Sequence, residues 1–345
     1  MALRPAGTFT TSYVQDMAIL DRRGYRVGMA LLVAVLVLAP VWLGRFIFLL
    51  NTIGIFAIGA CGLALLTGIT GQISLGHAAF MALGAYGSAA LARAGLPVPA
   101  ALVGATGLTF LVGVLVGLPS LRIKGLYLAI ATLAFQFLTE YALIHATGGV
   151  GALSVPPLGV GRWAVRTEVQ FYYLLLAVWL AAGTALANLV RSRLGLILMA
   201  IRDRDYAAEV LGIPLLYYKA LAFGLAAAYA GLAGSLWAHY QRLITTEQFT
   251  IGTSIDYVAM VVIGGLTSIW GPHLGAAWVV ALSQGLKIVT PALTAVVPAF
   301  AKVVIPLREV LFGAVLIALL IWEPGGLATL LRKLKRKVDL WPFAY

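Results

Sequence analysis

Charge is what this chain has least of. Only 10% of its 345 residues are Asp, Glu, Lys or Arg, where a soluble domain carries about a quarter. At the same time 62% are hydrophobic, more than one water-soluble core can hide. Lipid must therefore solvate much of the surface. Cysteine is nearly missing too: Cys61 stands alone in an apolar run, which excludes an intrachain disulfide and a thiolate metal cluster. Signatures of autonomous chemistry are also lacking. There is no Gly-x-x-x-x-Gly-Lys-Ser/Thr loop to cradle phosphates, no His-Glu-x-x-His helix and no nucleophile elbow. His145, His239 and His273 are too dispersed to argue for a metal, and no segment between apolar runs is long enough for a soluble catalytic domain. The expectation is a chain that is not an enzyme and holds no cofactor or metal of its own.

What the chain does have is 38 glycines and a net charge of +12. Glycine at this density suits helices that approach closely in a membrane. The basic residues lie in short segments between apolar runs and at the ends, which argues for topology rather than nucleic-acid binding. Ten apolar segments are long enough to be read as spans: 27–43, 46–67, 74–91, 98–118, 126–145, 169–190, 215–240, 254–269, 274–290 and 306–322. With the N-terminus inside, the cytoplasmic loops hold Arg22, Arg23, Arg122, Lys124, Arg191, Arg193, Arg202, Arg204, Lys219 and the run from Arg332 to Lys337. The opposite side holds a thinner set, including Arg93, Arg162, Arg242, Lys287 and Arg308. The excess of Lys and Arg inside fixes both termini in the cytoplasm. This predicts an all-α polytopic protein with a cytoplasmic segment 1–26, a transmembrane domain 27–322 and a basic cytoplasmic tail 323–345. Residues 1–26 lack the short apolar core and small-residue site of a cleaved signal peptide.

The one substantial cytoplasmic insertion, 191–213, is the most informative stretch. Its middle predicts a compact amphipathic helix carrying Arg202, Asp203, Asp205, Ala207, Ala208 and Glu209, stopped by Gly212 and Pro214. Two readings stand side by side: a small-residue knob offered to a partner, and an interfacial linker with its charged face in water. Candidates for a polar path are Gln72, Ser74 and His77, where a discontinuous helix would expose main-chain groups. The structural alternatives are Ser74 as a helix cap and His77 as a hydrogen-bonded packing residue. Glu140, His145, Asp256 and Glu309 fall near external helix ends, where solvation or docking suits them better than a proton relay. The external segment 146–168 is unusually apolar and is expected to fold back onto the protein. Gly71-Gln72-Ile73-Ser74-Leu75-Gly76-His77 and the run from Gly265 to His273 share Gly, Ser and His in order, a hint of two inverted five-span repeats.

Larger motifs carry a resemblance. The run from Gly68 to Tyr86 is similar to a hallmark of the branched-chain amino-acid permease family of ABC importers, in its LivM-like branch. So are Leu121-Arg122-Ile123-Lys124-Gly125-Leu126-Tyr127, Thr147-Gly148-Gly149, the Ile201–Gly212 run, Gly264 to Ala276 and Glu323-Pro324-Gly325-Gly326-Leu327. The resemblance implies an ABC importer permease fold in the inner membrane, forming half of a translocation path with a second, related permease subunit. It also implies two ATP-binding subunits, holding ATP and Mg, and a periplasmic solute-binding protein. On that reading Arg202, Asp203, Asp205, Ala207, Ala208, Glu209 and Gly212 couple the chain to the ATPases. Gln136 and Phe137, with Glu140 a turn later, depart from some relatives and receive no ligand-binding role. The family implies branched-chain amino acids as cargo, with urea, amides or aromatic acids as the alternative within it. An ion-coupled secondary transporter is the rival from another class; it would need acidic residues mid-span.

Overall fold

The computed structural model describes residues 23–296, apart from 122, 124, 150, 161–162 and 166, and residues 325–340, with isolated positions between 310 and 323. The expected span 306–322, and with it the closing member of the five-plus-five repeat, lies outside the continuously described residues, as do 1–22 of the N-terminal segment and Glu309. A small unit, residues 1–47, is distinct from residues 48–345. It contains helix α1 (Arg23–Trp42), apolar despite Pro40.

The larger unit is built on helices. They are α2 (Ile47–Leu63), α3 (His77–Arg93), α4 (Val98–Gly117), α5 (Leu126–Ala146), α6 (Glu168–Arg191), α7 (Arg193–Asp203), α8 (Asp205–Val210), α9 (Leu215–Gln241), α10 (Ile251–Gly264), α11 (Gly271–Val296) and α12 (Leu327–Leu340). Five stretches are long and apolar enough to cross a membrane: Ile47–Ile69, Val98–Ser120, Leu126–Ala146, Glu168–Arg191 and Leu215–Gln241. The chain is thus an all-α polytopic membrane protein. Its only strands among the described residues are short: β1 (Ala152–Ser154), β2 (Gly159–Val160), β3 (Trp163–Ala164) and β4 (Leu243–Thr245).

Burial sorts the long helices. The α2 stretch is 83% buried and α9 67%, whereas α4, α5 and α6 are each 28% buried. The apolar faces of the last three, with Val103, Leu111, Leu115, Phe137, Leu138 and Tyr141 outward, are what lipid or a neighbouring subunit would cover. Central α9 lies between α3 and α4, and glycine makes the approach close enough. A Cβ on Gly84 would stand 2.2 Å from the Gly231 carbonyl oxygen, and one on Gly234 would stand 1.9 Å from that of Met81. These are backbone-to-backbone contacts, the packing that replaces a hydrophobic drive between helices in lipid.

Three sequence expectations shift. The eighth span was expected to run 254–269, but α10 stops at Gly264 because Gly265 takes φ 112°, and a loop leads to α11 at Gly271. The ninth is longer than expected, 26 residues. The 191–213 insertion forms two helices rather than one, broken at Arg204 in an extended conformation (φ −156°, ψ 92°). Thr167 and Gln170 form a reciprocal capping box at the start of α6.

The segment after α5 folds back onto one end of the bundle, as its apolar composition implies. Strand β1 pairs antiparallel with β4, and the Tyr86 hydroxyl donates to the Gly151 carbonyl. His239 Nδ1–H donates to the Pro156 carbonyl at 2.8 Å and Nε2 lies 2.8 Å from the Ser88 hydroxyl oxygen; a carbonyl can only accept, so Nδ1 carries a proton.

Gly234→Ala should destabilise the protein by about 1–3 kcal/mol, because the new methyl meets the backbone of Met81. Gly107→Ala, on the open face of α4 with nothing within 4 Å, should be neutral or slightly stabilising. Thermal unfolding midpoints in detergent distinguish the two.

Candidate functional site

Between α2 and α3 the chain leaves α-helical geometry while still inside the protein. Residues Ala64–Ile69 form a π-turn, with the Thr70 N–H reaching the Leu65 carbonyl at 3.1 Å and the Gln72 N–H the Leu66 carbonyl at 3.0 Å. Gly71 then takes φ 74°, and the chain runs without helix or strand structure to Gly76, the cap residue of α3. A helix end leaves donors or acceptors without intrahelical partners, and a break buried in an apolar bundle must find them elsewhere.

It does so with side chains from three other helices. The Leu75 N–H donates to the Thr132 hydroxyl of α5 at 3.0 Å, and the Ala78 N–H to the Ser254 hydroxyl of α10 at 3.0 Å. Gln136, read as a departure from relatives, holds that arrangement in place: its Nε2 donates to the Phe249 carbonyl at 2.6 Å, and its Oε1 accepts from Ser254 at 3.4 Å. Ser74 is not the cap residue of α3; Gly76 is, and the Ser74 hydroxyl accepts from the Gly76 N–H at 3.4 Å. His77, fully buried, donates from Nε2 to the Gly59 carbonyl of α2 at 2.8 Å and packs edge-on against Tyr257.

The third partner comes from the 191–213 insertion. Arg202, near the end of α7, donates from Nη1 to the Gly68 carbonyl at 2.8 Å and pairs with Asp203 at 2.9 Å. A cation at the carbonyl end of a helix is favoured by the helix dipole as well. Asp203 is well exposed, so the ion pair adds little, and the bond to Gly68 is the stronger attachment. Lys219, buried at the start of α9, reaches Asp205 at 3.6 Å.

These groups meet in one cleft of about 520 Å3. It is lined by Gln72 and Ser120 together with Arg202, Asp203, Asp205, Ala207 and Lys219. Neither the Gln72 amide nor the Ser120 hydroxyl, both buried, has a hydrogen-bond partner among the described residues. The cleft thus gathers one expected path residue and most of the expected coupling residues. Ser74 and His77 do not line it. Lys219 and Ser120 were not singled out from sequence; a lysine five residues into an apolar helix was the available signal.

Beyond the cleft, α8 ends in a Schellman motif. Gly212, at φ 82°, donates to the Glu209 carbonyl at 2.9 Å, and the Ile213 N–H to that of Ala208 at 3.1 Å. Ala208 is buried with Ile201 and Leu215, so the expected Ala207-Ala208 knob is divided: Ala207 faces outward and Ala208 inward. Outward with Ala207 are Tyr206, Val210 and Leu211, at 76%, 88% and 80% exposure.

A second break lies against the first. A Cβ on Gly68 would stand 1.8 Å from the Leu266 carbonyl oxygen in the loop between α10 and α11. His273, the counterpart of His77 in the shared Gly-Ser-His pattern, accepts from Trp179 Nε1–H at 2.9 Å through Nδ1, and its Nε2 faces the Cys61 sulfur at 3.8 Å. Both histidines therefore serve packing contacts.

Comparison with known proteins gives a consistent result. Residues 45–320 match the family described as branched-chain amino acid transport system, permease component. The chain is 30% identical over 341 residues to the high-affinity branched-chain amino acid transport system permease protein LivM of Escherichia coli K12, covering 87% of this chain and 75% of that protein. It is likewise 30% identical over 306 residues to LivM of Salmonella typhimurium LT2, covering 81% and 68%. No solved structure matches the chain.

Ser254→Ala should cost about 1–3 kcal/mol of stability, because the buried Ala78 N–H loses its acceptor. An unfolding midpoint equal to that of the unaltered protein would mean that this donor is satisfied otherwise.

Proposed function

The chain belongs to the branched-chain amino acid transport system permease family, and from that premise we propose that it is the transmembrane subunit of an ATP-driven importer of branched-chain amino acids. It lies in the inner membrane with both termini cytoplasmic and forms half of the translocation path with a second, related permease. Two ATP-binding subunits dock below, supplying ATP and Mg, and a periplasmic solute-binding protein delivers the cargo. The family and its LivM relatives support the cargo class; the coupling role rests on geometry.

One observation carries that role. Helix α8 and its C-cap present Tyr206, Ala207, Val210 and Leu211 outward, interspersed with the charged Arg204 and Glu209. Apolar side chains at the tip of a charged insertion are costly in water and suit a partner's cleft. The insertion is also braced for load. The Schellman turn at Gly212 and the buried Ala208 fix α8 to α9, so a push on α8 is carried into the bundle instead of being absorbed by a loose loop. Closure of the ATP-binding subunits would move α7 and α8, and the broken helices above would respond by opening or closing the path.

In proteoliposomes containing the whole complex, leucine, isoleucine or valine uptake should require ATP and the binding protein. Ala207→Trp should lower the amount of solute moved per ATP hydrolysed by about tenfold, the equivalent of about 1.4 kcal/mol in the coupled step. An unchanged ratio would count against α8 as the docking element, and uptake driven by an ion gradient without the ATPases would overturn the importer reading altogether.

A further inference from the structure

The cytoplasmic insertion touches the first helix break at one polar point, the Arg202 guanidinium on the Gly68 carbonyl, at 2.8 Å. What surrounds that point leaves no slack. On one side, the missing Cβ of Gly71 would lie 2.7 Å from Arg202 Cγ, 3.4 Å from its Cβ and 3.5 Å from its Cα, so the non-helical segment rests directly on α7. On the other side, Gly68 abuts the Leu266 carbonyl of the second break with no side chain between them. Helix α7, the end of α2 and the loop before α11 are thus stacked in series through backbone and one guanidinium. Close-packed interiors transmit displacement because they do not compress, and glycine at both contacts removes the side chains that could rotate and absorb it.

The carbonyl that Arg202 holds is also one that helix geometry leaves free. In the π-turn, Leu65 and Leu66 supply the acceptors for Thr70 and Gln72, and Gly68 lies beyond them at the helix end, where acceptors have no intrahelical donor. Its nearest donor is carried on a different element, whose position depends on what docks beneath it. If α7 moved without Arg202 attached, the break would lose the donor at its carbonyl and stay behind.

We propose that Arg202 is the positioning residue that carries movement of the cytoplasmic insertion into both helix breaks, by holding the Gly68 carbonyl. The proposal rests on the reading of 191–213 as the coupling segment and adds the atom through which it acts. Arg202 touches neither nucleotide nor cargo. Its contribution is attachment, so its loss lowers the efficiency of coupling and not the chemistry of hydrolysis.

The test uses the reconstituted complex and reads the ratio of solute moved to ATP hydrolysed. Arg202→Met keeps the aliphatic stem and removes every donor; the ratio should fall by about tenfold. Arg202→Lys retains one donor and should recover part of the loss. A merely structural role would lower uptake and hydrolysis together and leave the ratio unchanged, which would overturn the proposal. A second arm does not depend on how well Arg202→Met folds. The Gly71 and Arg202 Cβ positions are 3.4 Å apart, close to the spacing that a disulfide bridges, while native Cys61 is fully buried. In the double variant Gly71→Cys, Arg202→Cys, the reduced form should show the low ratio and the oxidised form a several-fold higher one, with any strain at Gly71 common to both. No change on verified oxidation would also sink the proposal. If Ala207→Trp uncouples the complex but the Arg202 variants do not, the clasp alone is wrong. If neither uncouples it, the coupling reading of 191–213 has failed first.

Discussion

Backbone that leaves a helix inside an apolar bundle must have every polar group met by protein, because lipid offers nothing in exchange. That constraint organises this structure. The interruption from Ala64 to Gly76 is met by Thr132, Ser254 and Arg202, drawn from α5, α10 and α7. Each of these side chains is held in turn, Thr132 by the Ala129 carbonyl, Ser254 by Gln136 and Arg202 by contact with Gly71. The break is therefore a junction that fixes the relative positions of helices far apart in sequence, and the 191–213 insertion is one of its members.

Glycine supplies the complementary half of the arrangement. Where helices must move or pass as rigid bodies, contact through backbone leaves little freedom for side chains to repack. The Gly84–Gly231 and Gly234–Met81 approaches seat α9 against α3. The Gly264 approach to Gly271 and that of Gly275 to Met260 fold α10 tightly onto α11. The resulting body is stiff where its helices cross and jointed where they stop, a division suited to alternating access.

Much of this was legible in the sequence. Long apolar runs marked α2, α4, α5, α6 and α9 to within a few residues, because bilayer thickness sets their length independently of tertiary detail. The Gly-Gln-Ile-Ser-Leu-Gly-His run announced an interruption. What periodicity could not reveal was who repairs it, since Thr132, Arg202 and Ser254 lie 57, 134 and 176 residues from the groups they meet. The end of α10 was misplaced for a related reason. The sequence from Gly265 to Trp270 is apolar enough to continue a span, and only the positive φ of Gly265 ends it. Likewise the break at Arg204 is invisible to an amphipathic pattern that runs through it, and it decides that Ala208 turns inward.

The antiparallel ribbon of β1 with β4 has a quieter effect. It staples the chain just after α5 to the chain just after α9, and the ladder is extended by Val155 to Arg242 and by Thr246 to Gly151. Everything between, including the short helices α7 and α8, is therefore an excursion whose ends are pinned together on the far side of the bundle. A protease nick at the exposed Val210–Leu211 tip would yield two fragments that remain knitted at the opposite rim, so the body could survive the cut as a non-covalent pair.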